Sequence, residues 1–577
     1  MTLEKVLVGG KEVNQLALPS GVIATTEAGI RFALGLSQLG MVVIKSTNWD
    51  GKYIPEGAEV LNFDSMRHAN RESIFLQYAP GSYMNAVGLS NPGASGMRQT
   101  LEGIVIPDDK FLMISVFGRD IEEFVKVVRE LKEIGDGIEL NYSCPHSKKV
   151  GLAIGQDPEL VGAITKAVVE ETDKLVFAKL GPIPNIADVA EAAINAGAYG
   201  ITAINTAGPG YFSVDGKPVL YNKVGGLSGR GIFPLALNSV RQIKQRVPEA
   251  FIIGGGGISS AQDIREIKEA GANLQFMGSV FRGMDSRAVS GFLETIENDL
   301  DPDNYQNAEI FLEEIARNHN MKYRTAEITK KTPAGDDFNI FETRVLHPTA
   351  HAGQYIMAMI PGLSEKPFSV VGRPLTIAVM SRGHFTGEFN KLEEGDSFYF
   401  RGPYGDPIVF HDSLARGGIR IPNHSSVVLV GGGCGVASLP LIAKDTGGED
   451  ANYALQVYLG AKNFSNIRPF ISMFTDYTPS PESLKVISEA GDVGTAGNVG
   501  HLLEDAYKSG KLMPGSYFFN CGPRGMLDAV EAIEKRVSGS HIYSSRERMI
   551  RCAASVCGSC ISEAGEFTCR HPWEKVQ

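Results

Sequence analysis

The chain has 577 residues, 43% of them hydrophobic and 21% charged, and a formal net charge of −11. At about 150 residues per domain this length predicts three or four units, because one hydrophobic core does not grow so large. The acidic balance, without a lysine/arginine-rich block, argues against a nucleic-acid surface or an anionic-membrane patch, and no apolar run approaches the roughly 18 residues of a spanning helix.

Eight β-rich runs with helical, charge-bearing stretches between them fill the first half: 16–25, 41–47, 111–117, 137–143, 175–180, 200–206, 250–256 and 274–280. That arithmetic predicts an α/β chain whose residues 1–300 form a (β/α)8 TIM barrel, with the active site at the C-terminal ends of the strands. The ends are polar or glycine-rich: Lys45; Asn141 with Ser143 and Cys144; Lys179; Asn205 with Thr206; the glycines 254–257; Gly278 with Ser279. Lys45 and Lys179 each close an apolar strand (VVIK, VFAK). A cation there suits the ring of a reduced flavin; the plainer alternative is a strand-end lysine in water. Gly256 and Gly257 after the seventh run, and Gly278 and Ser279 after the eighth, would let backbone N–H groups close on a phosphate.

Asn141-Tyr142-Ser143-Cys144-Pro145, with MNAVGLSNPG at 84–93, INT at 204–206, GGLSG at 225–229 and the GGGGI run, resembles the catalytic subunit of the NAD-linked (type 1B) dihydroorotate dehydrogenases. The resemblance implies FMN across the barrel mouth, held by Lys45, Lys179, Gly229, Gly256, Gly257, Gly278 and Ser279. It also implies a dihydropyrimidine contacted by Lys45, Asn85, Asn141, Asn205 and Thr206, and Cys144 as the base. The chemistry agrees: a thiol with a pKa of about 8.5 can take the proton from the carbon beside the carbonyl, and amides can pair the alternating N–H and C=O groups of the ring. One departure stands after Cys-Pro, where the orotate enzymes usually carry Asn and this chain has His146. CPH, GQDPELV and FAKL are closer to the dihydropyrimidine dehydrogenases that reduce uracil and thymine. His146 is expected either to meet a substrate carboxylate or to be a neutral loop residue.

Residues 301–322 form an acidic, proline-containing linker with a helix. Residues 323–420 then read as a small β-barrel of alternating strands (AGQYIMAMIPG, EKPFSV, GRPLTIAV, GDSFYFRGPYGDP). From 421 to 540 the pattern changes to βα alternation. There a strand meets Gly431, Gly432, Gly433, Cys434 and Gly435 before a helix, the outline of a dinucleotide phosphate loop. In the last segment, 541–577, four of the seven cysteines crowd together: Cys552, Cys557, Cys560 and Cys569. C-x4-C-x2-C with a fourth Cys downstream is the spacing of plant-type [2Fe–2S] ligation. Zinc usually takes two C-x2-C knuckles, and disulfides need an oxidising compartment, for which Met1–Gln15 offers no secretory signal.

A flavin barrel, a nicotinamide half and an iron–sulfur segment in this order resemble the ferredoxin–NAD(P) reductase family, most closely the electron-transfer subunit of NAD-linked dihydroorotate dehydrogenase. The resemblance implies FAD at Lys366, Pro367, Phe368 and Ser369 (with Lys in the usual Arg position), Gly383 and Thr386. It places NAD at Gly431, Gly432, Gly433, Gly435, Cys521, Gly522 and Pro523. The whole is expected to be a fusion that oxidises dihydroorotate with NAD+ through FMN, [2Fe–2S] and FAD. The alternatives are an NAD(P)-dependent uracil/thymine dehydrogenase and a non-catalytic electron carrier or redox sensor. A cytoplasmic homodimer is expected by resemblance.

Overall fold

The computed structural model describes residues 3–21, 23–51, 75–86, 91–143, 152–220, 223–318, 321–334, 337–345, 350–410, 418–447, 453–478, 480–493, 495–548, 550–555, 560, 562 and 566–576. They divide into two compact units: Met1–His319 with Arg551–Phe567, and Asn320–Ile550 with Thr568–Gln577.

The first unit is built on strands β1 (Leu16–Leu18), β2 (Leu39–Val43), β3 (Phe111–Val116), β4 (Gly137–Asn141), β5 (Leu175–Leu180), β6 (Gly200–Ala203), β7 (Phe251–Gly255) and β8 (Leu274–Phe276). They close into an eight-stranded parallel barrel in sequence order. The strands read as continuous apolar runs rather than alternations because both faces are buried, against the barrel interior and against the helices outside. The helix Ile121–Leu131 after β3 shows how the outer ring is set. Asp120 caps it by accepting from the Glu123 N–H, and Phe124, Val127, Val128 and Leu131 form the buried stripe.

At the N-terminal end of the barrel, Val8 and Val13 of the hairpin Lys5–Val8/Lys11–Asn14 pack with Met41, Phe111, Phe177 and Leu274. That end is a closed apolar plug. A four-stranded antiparallel sheet arises from the chain following β2 and β6, in the order Ala207–Tyr211, Val224–Gly229, Ser82–Asn85, Phe75–Ala79. It joins two loops of the C-terminal end, the end where a barrel of this kind carries its chemistry.

The second unit holds two sheets. β9 (Arg324–Pro333), β10 (Phe338–Thr343), β11 (Tyr355–Ile360), β12 (Ser364–Ser369), β13 (Thr376–Met380) and β14 (Ser397–Tyr404) form an antiparallel sheet in the order β12-β11-β14-β9-β10-β13. Where the sequence predicts a small barrel, the ladder among the described residues is a six-stranded sheet with β12 and β13 at its edges. Its interior holds an ion pair, Glu365 with Arg401, both side chains fully buried. Tyr323 and Tyr404 complete the hydrogen bonds of that pair.

β15 (Ser426–Gly432), β16 (Ala454–Ala461), β17 (Leu484–Ser488), β18 (Tyr517–Cys521), β19 (His541–Ser545) and β20 (Glu574–Lys575) form the other sheet, in the order β17-β16-β15-β18-β19-β20. All pairings are parallel except that of β20. The chain winds outward from β15 in one direction and from β18 in the other. The strand order therefore reverses between them, and in open α/β sheets ligands bind in that crevice, outside the carboxyl ends. No helix among the described residues is long and apolar enough to cross a membrane.

Candidate active site

At the C-terminal end of the first barrel the polar residues form one buried network. Ser46, just past β2, is its centre. Its hydroxyl lies 3.0 Å from that of Ser20 and 2.8 Å from that of Ser115, and it accepts from Asn141 Nδ2 at 2.9 Å. The Ser115 hydroxyl donates to Glu139 Oε1 at 2.8 Å, and Lys179 Nζ stands 3.6 Å from the same oxygen. Asn141 Oδ1 accepts from the Ser143 N–H and hydroxyl, and Asn205 Nδ2 donates to the Ser143 hydroxyl at 2.9 Å. The Thr206 N–H donates to Asn205 Oδ1.

Strand register explains the grouping. Ser115 lies opposite Glu139, and Asn141 opposite Lys179, on neighbouring parallel strands. Lys45 is buried beside the network, and its N–H bonds to Ala24 O. Gln275, Glu139 and Ser115 are fully buried, and Glu139 Oε2 has no hydrogen-bond partner among the described residues. Asn85 lies apart, on the small sheet, donating to Gly226 O at 3.2 Å. Cys144 and His146 fall outside the described residues; Ser143, the residue leading to them, is bonded to both Asn141 and Asn205.

The glycines make a second feature of the same end. Gly229, Gly256 and Gly257 have φ of +84°, +132° and +93°, a region L side chains rarely adopt. A Cβ on Gly257 would lie 2.5 Å from Gly229 O, so these loops meet backbone to backbone. Gly278 leads into a 3-10 turn at Ser279–Phe281. Two buried lysines and loops with no side chains in the way fit a flavin phosphate and ring. Lys45, Lys179, Gly229, Gly256, Gly257, Gly278 and Ser279 are the residues that would hold them.

Residues 2–300 match the family described as "Dihydroorotate dehydrogenase". The chain belongs to this family. It is accordingly an oxidoreductase of the dihydroorotate dehydrogenase type. Three relatives are each described as "Dihydroorotate dehydrogenase B (NAD(+)), catalytic subunit". The protein from Thermococcus kodakarensis is 40% identical over 232 residues, 40% of this chain and 76% of its own. That from Pyrococcus abyssi is 37% identical over 307 residues, 51% of this chain and 94% of its own. That from Bacillus pumilus is 34% identical over 251 residues, 42% and 74% respectively.

In the second unit of this dihydroorotate dehydrogenase family member, three of the sequence motifs meet at one serine that the sequence reading missed. Ser438 ends the turn Gly433–Ser438 after β15. Its hydroxyl lies 2.9 Å from that of Ser369, at the end of β12, and 3.4 Å from Cys521 Sγ, at the end of β18. Burial pushes the Cys521 thiol up to about 11, so it stays neutral at ordinary pH. Gly432 and Gly522 face each other over Met526, and a Cβ on Gly435 would run into Cys521 O. Pro523 stands beside Gly432 and Gly433 opens onto free space, whereas Gly431 faces Leu439, Val436 and Leu459. Phe368 packs with the rings of Phe385 and Phe389. Lys366 and Pro367 share its strand, opposite Ala358 and Met357. Thr386 is occupied locally: its hydroxyl oxygen accepts from the Arg382 and Gly383 N–H groups, capping the short helix His384–Phe389.

The cysteines are shared between the units. Cys552 and Cys560 belong to the first and Cys569 to the second, all three buried, while Cys557 lies outside the described residues. The Ala554 N–H donates to Cys552 Sγ at 3.3 Å, and Ala553 and Ser555 have positive φ. In the first unit this segment is anchored by the Gly283 N–H to Ala554 O, 2.6 Å, and by Ser286 to Glu566. In the second, Tyr355 donates to Cys569 O. Among the described residues no three His, Cys, Asp or Glu side chains are grouped to hold a metal ion.

Proposed function

We propose that this chain oxidises dihydroorotate to orotate and delivers the electrons to NAD+, uniting a catalytic barrel and a ferredoxin-reductase-like module in one polypeptide. The observation that carries the reading is the network joining Lys179, Asn141, Asn205 and Thr206 at the C-terminal end of the barrel, in a chain of the dihydroorotate dehydrogenase family. The NAD(+) in the relatives' names supports the acceptor. The reading divides the chain into an FMN barrel (1–300), a linker (301–322), an FAD region (323–420), an NAD region (421–540) and a [2Fe–2S] segment (541–577). It has the chain working as a cytoplasmic homodimer.

When bound, the cofactors supply hydride acceptance at FMN, one-electron relay at the cluster and hydride delivery from FAD to NAD+. The chain's own residues do the rest. Lys45 and Lys179, desolvated near Ser46 and Glu139, place positive charge where negative charge develops. Asn85, Asn141 and Asn205 with Thr206 orient the pyrimidine through its N–H and C=O groups; the network behind Asn141 and Asn205 fixes which way each amide points. Cys144 takes the proton from the carbon beside the carbonyl. Cys552, Cys557, Cys560 and Cys569 are the residues that would hold the cluster, and the Ser369–Ser438–Cys521 contact sets the flavin-side strand against the nicotinamide-side turn.

Anaerobic assay of NAD+ reduction with dihydroorotate, dihydrouracil and dihydrothymine tests this. Turnover with dihydroorotate alone is expected. Activity only with the uncharged dihydropyrimidines would overturn it and make His146 the residue that selects them.

A further inference from the structure

Arg282 is a buried arginine of the first unit that neither the network nor the motifs absorb. It follows the turn Ser279–Phe281, three residues beyond Ser279, and only 8% of it is exposed. Its guanidinium lies over the Tyr83 ring, 4.9 Å from Cζ to centroid, and Nη1 is buried with no hydrogen-bond partner among the described residues. No carboxylate among the described residues forms an ion pair with it, and burial alone pulls its pKa down to about 10. A guanidinium kept from water with neither a counter-ion nor a full set of acceptors costs several kcal/mol. Such a group persists where an anion completes it.

Its surroundings say which anion. Tyr83 sits opposite Ser228 on the small sheet, next to Gly229, and a Cβ on Gly229 would come within 3.1 Å of the Tyr83 ring. Gly229 in turn abuts Gly257. The guanidinium therefore stands behind the same side-chain-free loops that would close on a phosphate, and on the loop that carries Gly278 and Ser279. Backbone N–H groups supply directional donors but no full charge; a guanidinium supplies both and matches a phosphate as a fork.

We propose that Arg282 binds the phosphate monoester of FMN and makes the barrel select FMN over the uncharged riboflavin. The proposal rests on the reading that the barrel holds FMN. Its test is a titration of the flavin-stripped full-length chain with FMN and, separately, with riboflavin, followed by flavin fluorescence. The wild-type chain is expected to bind FMN more tightly than riboflavin. Arg282→Gln is expected to weaken FMN by about 10–100-fold, the loss of one charge-assisted contact, and to leave riboflavin unchanged. Arg282→Lys, which keeps the charge and loses the fork, should fall between.

Equal loss of both ligands, or loss of neither, overturns the role of Arg282 while leaving the flavin reading intact. An unchanged FMN affinity with an altered electron paramagnetic resonance signal of the reduced protein also overturns it, and points to the Cys552 loop as the anion. A wild-type chain that binds neither ligand overturns the flavin reading, and this proposal with it.

Discussion

Glu534 is the last residue of the helix Arg524–Glu534 and is fully buried. Asn520 Nδ2 donates to its Oε2 at 2.7 Å, but Oε1 and Asn520 Oδ1 are both buried without partners among the described residues. Burial, with the nearby Glu531 adding to it, raises its pKa from 4.5 to about 8. The folded state then holds a proton that the unfolded state has lost between about pH 4.5 and 8. Stability is therefore complete below pH 4.5 and declines as pH rises through that window. At 1.36 kcal/mol per pKa unit the penalty is roughly 3 kcal/mol at pH 7 and at most about 5 above pH 8.

Glu534→Gln removes the titration, keeps an oxygen for Asn520 Nδ2 and brings an N–H donor beside the unpaired Asn520 Oδ1. The variant is expected to match the parent in thermal melting at pH 4.5 and to exceed it by several degrees at pH 9. Melting followed by circular dichroism at pH 4.5, 7 and 9 checks this. Parallel pH profiles for the two proteins would refute the argument, because a carboxyl ionised throughout contributes no slope.

Gly257→Ala forces a side chain into a backbone conformation costing about 1–3 kcal/mol and against Gly229 O at 2.5 Å. On the proposed function, the purified variant should lose FMN, counted after denaturation and chromatography, while keeping FAD. Full FMN occupancy would contradict the glycine cradle. Ser438→Ala deletes the contact shared by Ser369 and Cys521; a neutral hydrogen bond of about 0.5–1.5 kcal/mol predicts a two- to tenfold fall in kcat for NAD+ reduction with flavin content unchanged. Arg401→Met leaves Glu365 charged and buried and should destabilise by roughly 3–5 kcal/mol, whereas Arg401→Met with Glu365→Leu should recover most of that in denaturant melts. A double variant no more stable than the single would show that packing, not the stranded charge, sets the cost.

The barrel was legible because strands buried on both faces must be apolar along their whole length, and runs such as FLMISV permit little else. The ends of those runs were less legible. The run 200–206 leaves the ladder after Ala203, yet Ile204 and Asn205 still donate to Gly255 O and Leu180 O, so composition does not betray the change. The four-stranded sheet escaped because AGPGY and VGGLSG carry too many glycines to alternate; the pairing that joins its two halves, Ser82–Asn85 with Val224–Gly229, spans more than a hundred residues.

Serines escaped for a different reason. Ser46, Ser115 and Ser438 have no motif, and a hydroxyl becomes informative only when its neighbours are known. Glu139 lies just two residues before Asn141, but a glutamate inside an apolar strand is ambiguous until Lys179 is found across the register. Arg282 had least signal of all, since an isolated arginine in a loop is ordinarily solvated. The cysteine spacing singled out four residues as one set, and spacing cannot say that Cys552 and Cys560 pack with the first unit while Cys569 packs with the second. A chain that returns at residue 551 to its first core and leaves again at 568 does so through tertiary bonds, Gly283 to Ala554 on one side and Tyr355 to Cys569 on the other. Neither bond is encoded in the local pattern of the residues that make it.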